Sequence, residues 1–596
     1  MALELVPSVG RVPLFGLVSS LSQAVLARRT LAAFLILHMS ALSIIALATQ
    51  PTLPLDVVEQ LAWARDLQWV YFKHPPLPAF VLWLAMETSG HALWLAALLG
   101  PAVVTLTAWL VWLLAIRIVD PVRALLAVLA LEGIAYFNFT ALEFNHNVIQ
   151  MPIWALLCLL GHCVYREGRL RDWLALGAAA SLGMLGKYST VLMLVSLLVA
   201  FAADKQARRK FRTYGPWLSI LMATVLLLPH LVALAHADFT PFDFPFQRAA
   251  PPDTIWDHIF HPLQFLRAQL ADAAAALLLL GLALTAKGRD VVVAPKRVLP
   301  SDLNYVRIVA GGPLVLALAL QFVSGLRFLD MWGTPMLNFA SLAFVVESAH
   351  RSVTKGALRR FAPAWGAVFA LAMVARAEFD LAAPFVTGIG GRIQFSAAAM
   401  TSEISGTWQK ETGARPLDVV VGDAWYGGLV TVYAQDHPSL MIDGDWRKSP
   451  WISAARIRRS GAVLVWPTDH GKGEPANMAA EFPQAIPQKP LVLPYLTKAK
   501  VAPARIGWAI VPPAPSLSSL GAPSFARNFP LFARNLKKSL AVSKKRAEAA
   551  RKLADAEARW LRVQEEHEKT DGKRRAETAG RQSASIAELS SMAIAR

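Results

Sequence analysis

The stretch Arg28-Arg29-Thr30-Leu31-Ala32-Ala33-Phe34-Leu35-Ile36-Leu37-His38-Met39-Ser40-Ala41-Leu42-Ser43-Ile44-Ile45-Ala46-Leu47-Ala48-Thr49 decides the class of this chain. A basic pair precedes an apolar run with no charged side chain. A helix of about twenty such residues crosses the hydrocarbon core of a bilayer. The basic pair, the run and Ala46-Leu47-Ala48 also imitate a secretory signal peptide. This run is longer than the apolar part of such a peptide, and a substantial segment comes before it. The reading is therefore an uncleaved signal anchor with its N-terminus inside.

Working outward, comparable runs recur through the first two thirds of the chain. We read them near 30–49, 91–116, 123–137, 147–164, 173–186, 189–203, 216–235, 263–286, 306–324, 331–348 and 362–377, about eleven spans. Composition agrees: among 596 residues 55% are hydrophobic and only 17% charged, which is wrong for a cytosolic globular protein and for a disordered one. The formal net charge of +18 would suggest a nucleic-acid partner in a soluble protein. Here the basic residues sit in short clusters between apolar runs, so no nucleic-acid partner is expected. The two cysteines, Cys158 and Cys163, share one apolar segment and provide neither a disulfide framework nor a CxxC metal site.

The loops give the orientation. Arg28/Arg29, Arg117/Arg123, Arg166/Arg169/Arg171, Lys205/Arg208/Arg209/Lys210/Arg212, Lys287/Arg289/Lys296/Arg297 and Arg351/Lys355/Arg359/Arg360 form one set. The alternating loops hold Asp56, Glu59, Asp66, Glu143, Asp238, Asp243, Asp253 and Asp257 and are poor in Lys and Arg. The first set is expected in the cytoplasm and the second outside. The pair 173–186 and 189–203 is short for two crossings, so its turn Gly186-Lys187-Tyr188-Ser189 is expected at membrane depth, inside protein or a wet cavity.

After Phe379 the pattern changes. Leu417–Val421, Ala462–Trp466, Leu491–Leu493 and Ile506–Val511 read as short strands, with helical stretches Ala424–Tyr433 and Ile452–Arg459 between them. Three domains are expected: a transmembrane catalytic domain over 1–380, an outer α/β domain over 381–513, and a Pro/Ser linker with a basic helical or disordered tail over 514–596. The fold class is thus a mainly α polytopic membrane protein with a small C-terminal α/β domain.

Chemistry concentrates in the first outward loop. No Walker loop, strand-linked GxGxxG, HExxH or GxSxG is present. The loop reads Pro54-Leu55-Asp56-Val57-Val58-Glu59-Gln60-Leu61-Ala62-Trp63-Ala64-Arg65-Asp66 and then Trp69-Val70-Tyr71-Phe72-Lys73-His74-Pro75-Pro76-Leu77-Pro78. On a helix Asp56 and Glu59, three apart, share a face, and Trp63 and Trp69 suit the membrane surface. A carboxylate that takes a hydroxyl proton, with Lys and His offsetting charge on a departing phosphate, suits group transfer. An amphipathic linker with solvated charges is the plainer alternative.

Asp56-x-x-Glu59-Gln60 followed by Tyr71-x-Lys73-His74-Pro75-Pro76-Leu77 resembles the first outer loop of bacterial family 39 glycosyltransferases. That group of the GT-C superfamily includes aminoarabinose–lipid A transferases, rhizobial galacturonosyltransferases and protein O-mannosyltransferases. Glu143-Phe144-Asn145-His146-Asn147 leading to Pro152-Ile153-Trp154, Gly183-Met184-Leu185-Gly186-Lys187-Tyr188-Ser189, and Trp332-Gly333-x-Pro335 agree with it. The resemblance covers roughly residues 30–380 and, weakly, the outer domain to about 513.

The resemblance implies a multi-pass enzyme of the bacterial inner membrane with a periplasmic active site. It implies a polyprenyl-phosphate-linked sugar donor, an envelope lipid or glycan acceptor, and inverting single displacement. Asp56 matches the position of the general base, and Lys73 the position that contacts the lipid phosphate. Relatives often carry an Asp before the next span, where this chain offers Glu143, Asn145, His146 and Asn147.

From the residues themselves, Asp56 after Pro54 also suits a helix N-cap. Glu59 either orients Asp56 or the acceptor, or is solvated. Lys73 contacts phosphate or snorkels, and His74 donates to phosphate or stacks. Lys187, inside an apolar hairpin, approaches the donor phosphate or pairs with an acid. Arg248 is either a phosphate contact or the partner of Asp243 or Asp253. Glu143, Asn145, His146 and Asn147 are candidates for acceptor or sugar binding. Two candidate ligands, Glu143 and His146, make no metal site, so no cofactor is expected to be required: a phosphate-linked sugar is already activated. The rival classes are a secondary transporter, against which no internal repeat is seen, and a non-catalytic lipid-binding protein.

Overall fold

The computed structural model describes residues 14–284, 290–468 and 473–514, with side chains from residue 22 onward. The expected basic tail, together with Lys287 and Arg289, lies outside the described residues.

Helices α1 (Leu14–Thr49), α2 (Leu55–Arg65), α3 (Leu77–Ser89), α4 (Leu93–Ile118), α5 (Pro121–Leu129), α6 (Gln150–Arg166), α7 (Leu170–Gly186), α8 (Thr190–Ala203), α9 (Lys205–Lys210) and α10 (Gly215–His236) come first. They are followed by α11 (Asp243–Arg248), α12 (Asp257–Leu284), α13 (Pro300–Ser324), α14 (Ala340–Glu347) and α15 (Lys355–Thr387). Local chemistry sets several ends. Asp120 and Thr354 cap α5 and α15 by accepting from Arg123 N and Ala357 N, and left-handed Gly325 and Gly388 close α13 and α15.

Among the described residues, five helices are long and apolar enough to cross a membrane: Ser22–Thr49, α4, α10, α12 and α13. In α10 only 11% of the most apolar window is buried within the protein, so the rest of that surface is left for lipid. Two expected spans have a different form. Over 123–137 α5 stops at Leu129 and gives way to 3-10 turns, Ala130–Gly133 and Ala135–Phe137. There Gly133 lies so close to α12 that a Cβ would meet Ala276 N at 2.2 Å. Over 331–348 a 3-10 segment, Asp330–Leu337, precedes the short α14, with Pro335 inside it. The apolar helix α3, 13 residues long, follows the first outer loop and was not among the expected spans.

The expected hairpin turn is present between α7 and α8. Gln150 of α6 serves its polar groups, donating to Lys187 O at 3.4 Å and to Thr190 Oγ1 at 3.0 Å while accepting from Ser189 Oγ at 3.1 Å. Protein groups thus satisfy an irregular backbone that lipid could not.

The basic loops gather at one end of the bundle. Arg123 donates to Asp120, Ala294 O and Arg351 O. Lys296 reaches Ile118 O, and β1 (Val291–Val293) pairs with β2 (Val353–Thr354) beside it.

The remainder forms a six-stranded sheet: β3 (Val419–Gly422), β4 (Ser439–Ile442), β5 (Ala462–Pro467), β6 (Ile486–Pro487), β7 (Leu491–Leu493) and β8 (Ala504–Val511). The order is β4-β3-β5-β8-β6, with β7 also on β8; β3 runs parallel to β4 and β5, and β8 is antiparallel. Four helices accompany it, α16 (Ala397–Thr412), α17 (Tyr426–Tyr433), α18 (Ala454–Ser460) and α19 (Ala476–Glu481). Alternate strand residues feed two cores. Val420, Val463 and Val465 pack with Trp408 and Leu429, whereas Val419, Val421 and Leu464 pack with Ile457 and Phe482. The expected strands and helices are all found within a few residues. The strands β4 and β6 and the helices α16 and α19 were not foreseen.

The sheet rests on the segment 54–78, which holds α2. Gly428 of α17 comes so near α2 that a Cβ would lie 2.9 Å from Val58 Cγ1. Arg65 Nε donates to His437 O at 2.6 Å, and Ser439 Oγ to Asp66 Oδ1 at 3.0 Å. Between α15 and α16, Thr52 N donates to Ile393 O at 3.0 Å and Thr52 Oγ1 to Phe395 O at 2.5 Å.

Candidate active site beneath the sheet

Helix α2 begins at Leu55 because Pro54, at φ −60° and ψ 158°, delivers an extended chain into it. Its apolar residues Val57, Val58, Leu61 and Trp63 are buried, which fixes the direction in which Asp56 and Glu59 face. After α2 the chain returns through Tyr71, whose ring stacks on Trp63 at 4.6 Å and whose hydroxyl donates to Trp63 O at 3.0 Å. This stacked pair holds Phe72, Lys73 and His74 against the helix.

Lys73 Nζ meets Glu59 Oε1 at 2.7 Å, and Glu59 is 4% exposed. Burial pushes the Glu59 carboxyl above its ordinary range, and Lys73 opposes that shift. The ammonium also lies 5.2 to 5.8 Å from the rings of Phe244, Phe72 and Trp63.

The loop around 143–147 closes on the start of α2. Glu143 Oε1 accepts from Asp56 N at 3.1 Å. Asn145 hydrogen-bonds the Asp56 side chain, while its own Oδ1 accepts from Asn147 N and Val148 N at 2.9 and 3.0 Å. Burial raises the Asp56 carboxyl above its usual range, against the opposing pull of Lys73, Asn145, Lys187 and Arg248. Glu143 is pushed up to about 7, first by burial and then by the Asp56 charge. The two carboxyls therefore behave as a coupled pair that shares a proton near neutrality.

Lys187 arrives from the α7–α8 turn: its Nζ donates to Asn147 Oδ1 at 2.5 Å and lies 5.4 Å from the Trp332 ring. His74 and His146 stack at 4.0 Å, and His146 Nε2 contacts Pro75 O at 3.2 Å. Burial holds both imidazoles below their ordinary range, so they are neutral at pH 7 and able to donate but carry no charge. Among the described residues no group of three His, Cys, Asp or Glu side chains is arranged for a metal ion.

The structure thus brings together Asp56, Glu59, Lys73, His74, Glu143, Asn145, His146, Asn147 and Lys187. Arg248 is exposed at the end of α11 and reaches the group only through its field on Asp56; no ion pair with Asp243 or Asp253 is present among the described residues.

Two cavities flank this cluster. One, of about 420 Å³, is lined by Glu143, Asn145 and Asn147 with Thr334, Arg376 and Arg392. The other, of about 560 Å³, lies under the sheet and is lined by Glu59, Lys73 and Gln247 with Arg392, Asp423 and Lys448. Sequence reasoning missed several of these. Arg376 and Asp380 form an ion pair at 2.6 Å, four residues apart on α15, and Asp380 also accepts from Thr49 Oγ1 and Gln50 Nε2. That spacing was a signal, since paired charges near an apolar span mark a polar face. Arg392, Asp423 and Lys448 carried no local signal, because loops of the sheet region bring them to the cavities.

With this geometry established, comparison with known proteins is informative. Residues 73–232 match the family model described as dolichyl-phosphate-mannose-protein mannosyltransferase. The chain is 24% identical over 482 residues to the lipopolysaccharide core galacturonosyltransferase RgtB of Rhizobium johnstonii, covering 76% of this chain and 92% of that one. It is 24% identical over 449 residues to RgtA of the same organism, covering 73% and 85% respectively. In fold it is similar to ArnT from Cupriavidus metallidurans. The apo structure gives a TM-score of 0.52 at 15% identity over 84% of this chain and 100% of that one. The structure bound to undecaprenyl phosphate gives 0.53 at 14% over 83% and 99%. In sequence the chain is thus similar to the rhizobial core galacturonosyltransferases, and in fold to ArnT.

Proposed function

We propose that the protein transfers a sugar from a polyprenyl-phosphate donor to a hydroxyl of an envelope lipid or glycan, at the periplasmic face of the bacterial inner membrane. The observation that carries this reading is the Asp56–Glu143 carboxyl pair, bonded to Asn145 and within the fields of Lys73 and Lys187. In the proposed step Asp56 takes the proton of the acceptor hydroxyl, and the freed oxygen forms a bond to the anomeric carbon. The bond from that carbon to the phosphate oxygen breaks, and polyprenyl phosphate leaves with the electron pair, so configuration inverts. Lys73, Lys187 and Arg248 offset the phosphate charge, and neutral His74 donates to it. Glu59 holds Lys73 in position. Glu143, Asn145, His146 and Asn147 border the sugar and acceptor. Activation resides in the donor phosphate, so the reading calls for neither nucleotide nor metal.

The finer reading is that the transferred sugar is a uronic acid and the acceptor a lipopolysaccharide core. It is supported by the homology to enzymes named as core galacturonosyltransferases. The orientation that goes with it has the N-terminus in the cytoplasm and the sheet domain in the periplasm. It is supported by the separation of basic loops from the acidic site. The test is mass spectrometry of envelope lipids and glycans from a deletion strain complemented with wild type or Asp56→Asn. Loss of one uronic acid mass, restored by wild type alone, is the expected result. Full restoration by Asp56→Asn overturns the role of Asp56, and an unchanged profile in the deletion strain overturns the transfer reading.

A further inference from the structure

Among the described residues, Arg392 is the one side chain that lines both cavities flanking the carboxyl pair. The backbone beneath it is held in place. Gln394 Nε2 donates to Asp380 O, and Gln394 N donates to Gly391 O at 3.2 Å. Thr52, four residues before Asp56, grips Ile393 O and Phe395 O. A guanidinium that carries no fixed partner is therefore mounted on a rigid support. Arg392 is exposed, and no ion pair or side-chain hydrogen bond engages it among the described residues; its guanidinium lies 5.9 Å from the Trp425 ring. Its neighbour Arg376 is different. That guanidinium is bound to Asp380 and flanked by the rings of Phe139 and Phe379 at 5.2 and 5.5 Å, so it is already engaged.

Charge gives Arg392 a task. A saccharide carrying a carboxylate and seated between the cavities would face Glu143, with Asp56 beside it, and the charge of that pair needs a compensating cation. Arg392 is within their field, since its charge opposes the upward shift of Glu143. The lysines nearby are already engaged: Lys73 with Glu59, Lys187 with Asn147 and Lys448 with Asp443. A planar guanidinium over an aromatic ring matches a carboxylate in two-point geometry, which an ammonium does not.

We propose that Arg392 is a specificity-determining residue that binds the carboxylate of a saccharide at the junction of the two cavities. The carboxylate belongs either to the transferred sugar or to the acceptor sugar. This rests on the transfer reading above.

The test uses the full-length protein in lipid nanodiscs with two donors, a polyprenyl-phosphate hexuronate and the corresponding neutral hexose. Two acceptors are paired with them, one carboxylated and one carboxyl-reduced. Arg392→Ala should lower kcat/KM at least about tenfold, through KM, for the carboxylated form of one partner only. Arg392→Lys should recover part of that loss, and the affected partner identifies the source of the carboxylate. Free hexuronate should inhibit wild type, and not Arg392→Ala, more strongly than neutral hexose. Equal loss on all four combinations, as a phosphate contact would give, overturns the proposal. So does an unchanged preference, or inhibition by hexuronate that survives Arg392→Ala. Absence of transfer by wild type from every combination defeats the underlying reaction instead.

Discussion

Asp56 gains its character from its seat more than from its type. Half-buried, bonded to Asn145 and beside Glu143, it stays protonated to a higher pH than an ordinary aspartate. In the proposed role of base it works only when ionised. The rate of transfer should therefore fall as pH drops through a midpoint above the usual carboxylate range, and Asp56→Asn should lower kcat by roughly 10²- to 10⁴-fold. Initial rates in nanodiscs across pH 4 to 9 test both. A second inflection should appear at about 7, where Glu143 gives up its proton, and Glu143→Gln should remove it. The Lys73–Glu59 pair makes a different prediction. Lys73→Met strands a buried carboxylate, and thermal unfolding should show a loss of about 3 kcal/mol at pH 8. That loss should shrink at pH 5, because protonation of Glu59 relieves it. Adding Glu59→Gln to Lys73→Met should restore stability without restoring activity, if Lys73 meets the donor.

At the scale of elements, close approach decides what packs. Gly177 of α7 lies where a Cβ would meet Ser219 O of α10 at 2.2 Å, so Gly177→Leu should separate the two helices and cost about 1–3 kcal/mol in thermal unfolding. Gly428 has the corresponding position between α17 and α2. Gly428→Val should lift the sheet from the site and reduce transfer about tenfold or more while the membrane helices remain folded, with circular dichroism checking the helices and a rate assay the site. The sequence made much of this legible. Strands β3, β5, β7 and β8 and the long apolar helices follow from local periodicity, and the cluster around Asp56 and Lys73 from residue types crowded into one loop. The breaks after α5 and before α14 were hidden, because Gly133, Glu132 and Pro335 sit inside stretches whose average hydropathy is that of a span. Arg392 was hidden for the opposite reason: its place is created by the grip of Thr52, 343 residues before Phe395, on the neighbouring Ile393 and Phe395 carbonyls.

For the whole molecule, the separation of charge between ends predicts accessibility. In a variant lacking Cys158 and Cys163, a cysteine replacing Lys448 should react with a membrane-impermeant maleimide added to spheroplasts. A cysteine replacing Lys205 should react only after permeabilisation. Labelling in the reverse order overturns the orientation.

Thr52 donates to Phe395 O across 343 residues of sequence. Its loop leaves the ribosome early, and its partner follows after about two thirds of the chain. During synthesis the acidic helix α2 must wait, without its roof and without Arg392, until the sheet region that follows the membrane helices has been made. A truncated or stalled product would carry the base and the lysines with one wall missing. The proposed activity would thereby report that the sheet region has been made, and a chain stopped before it should be silent.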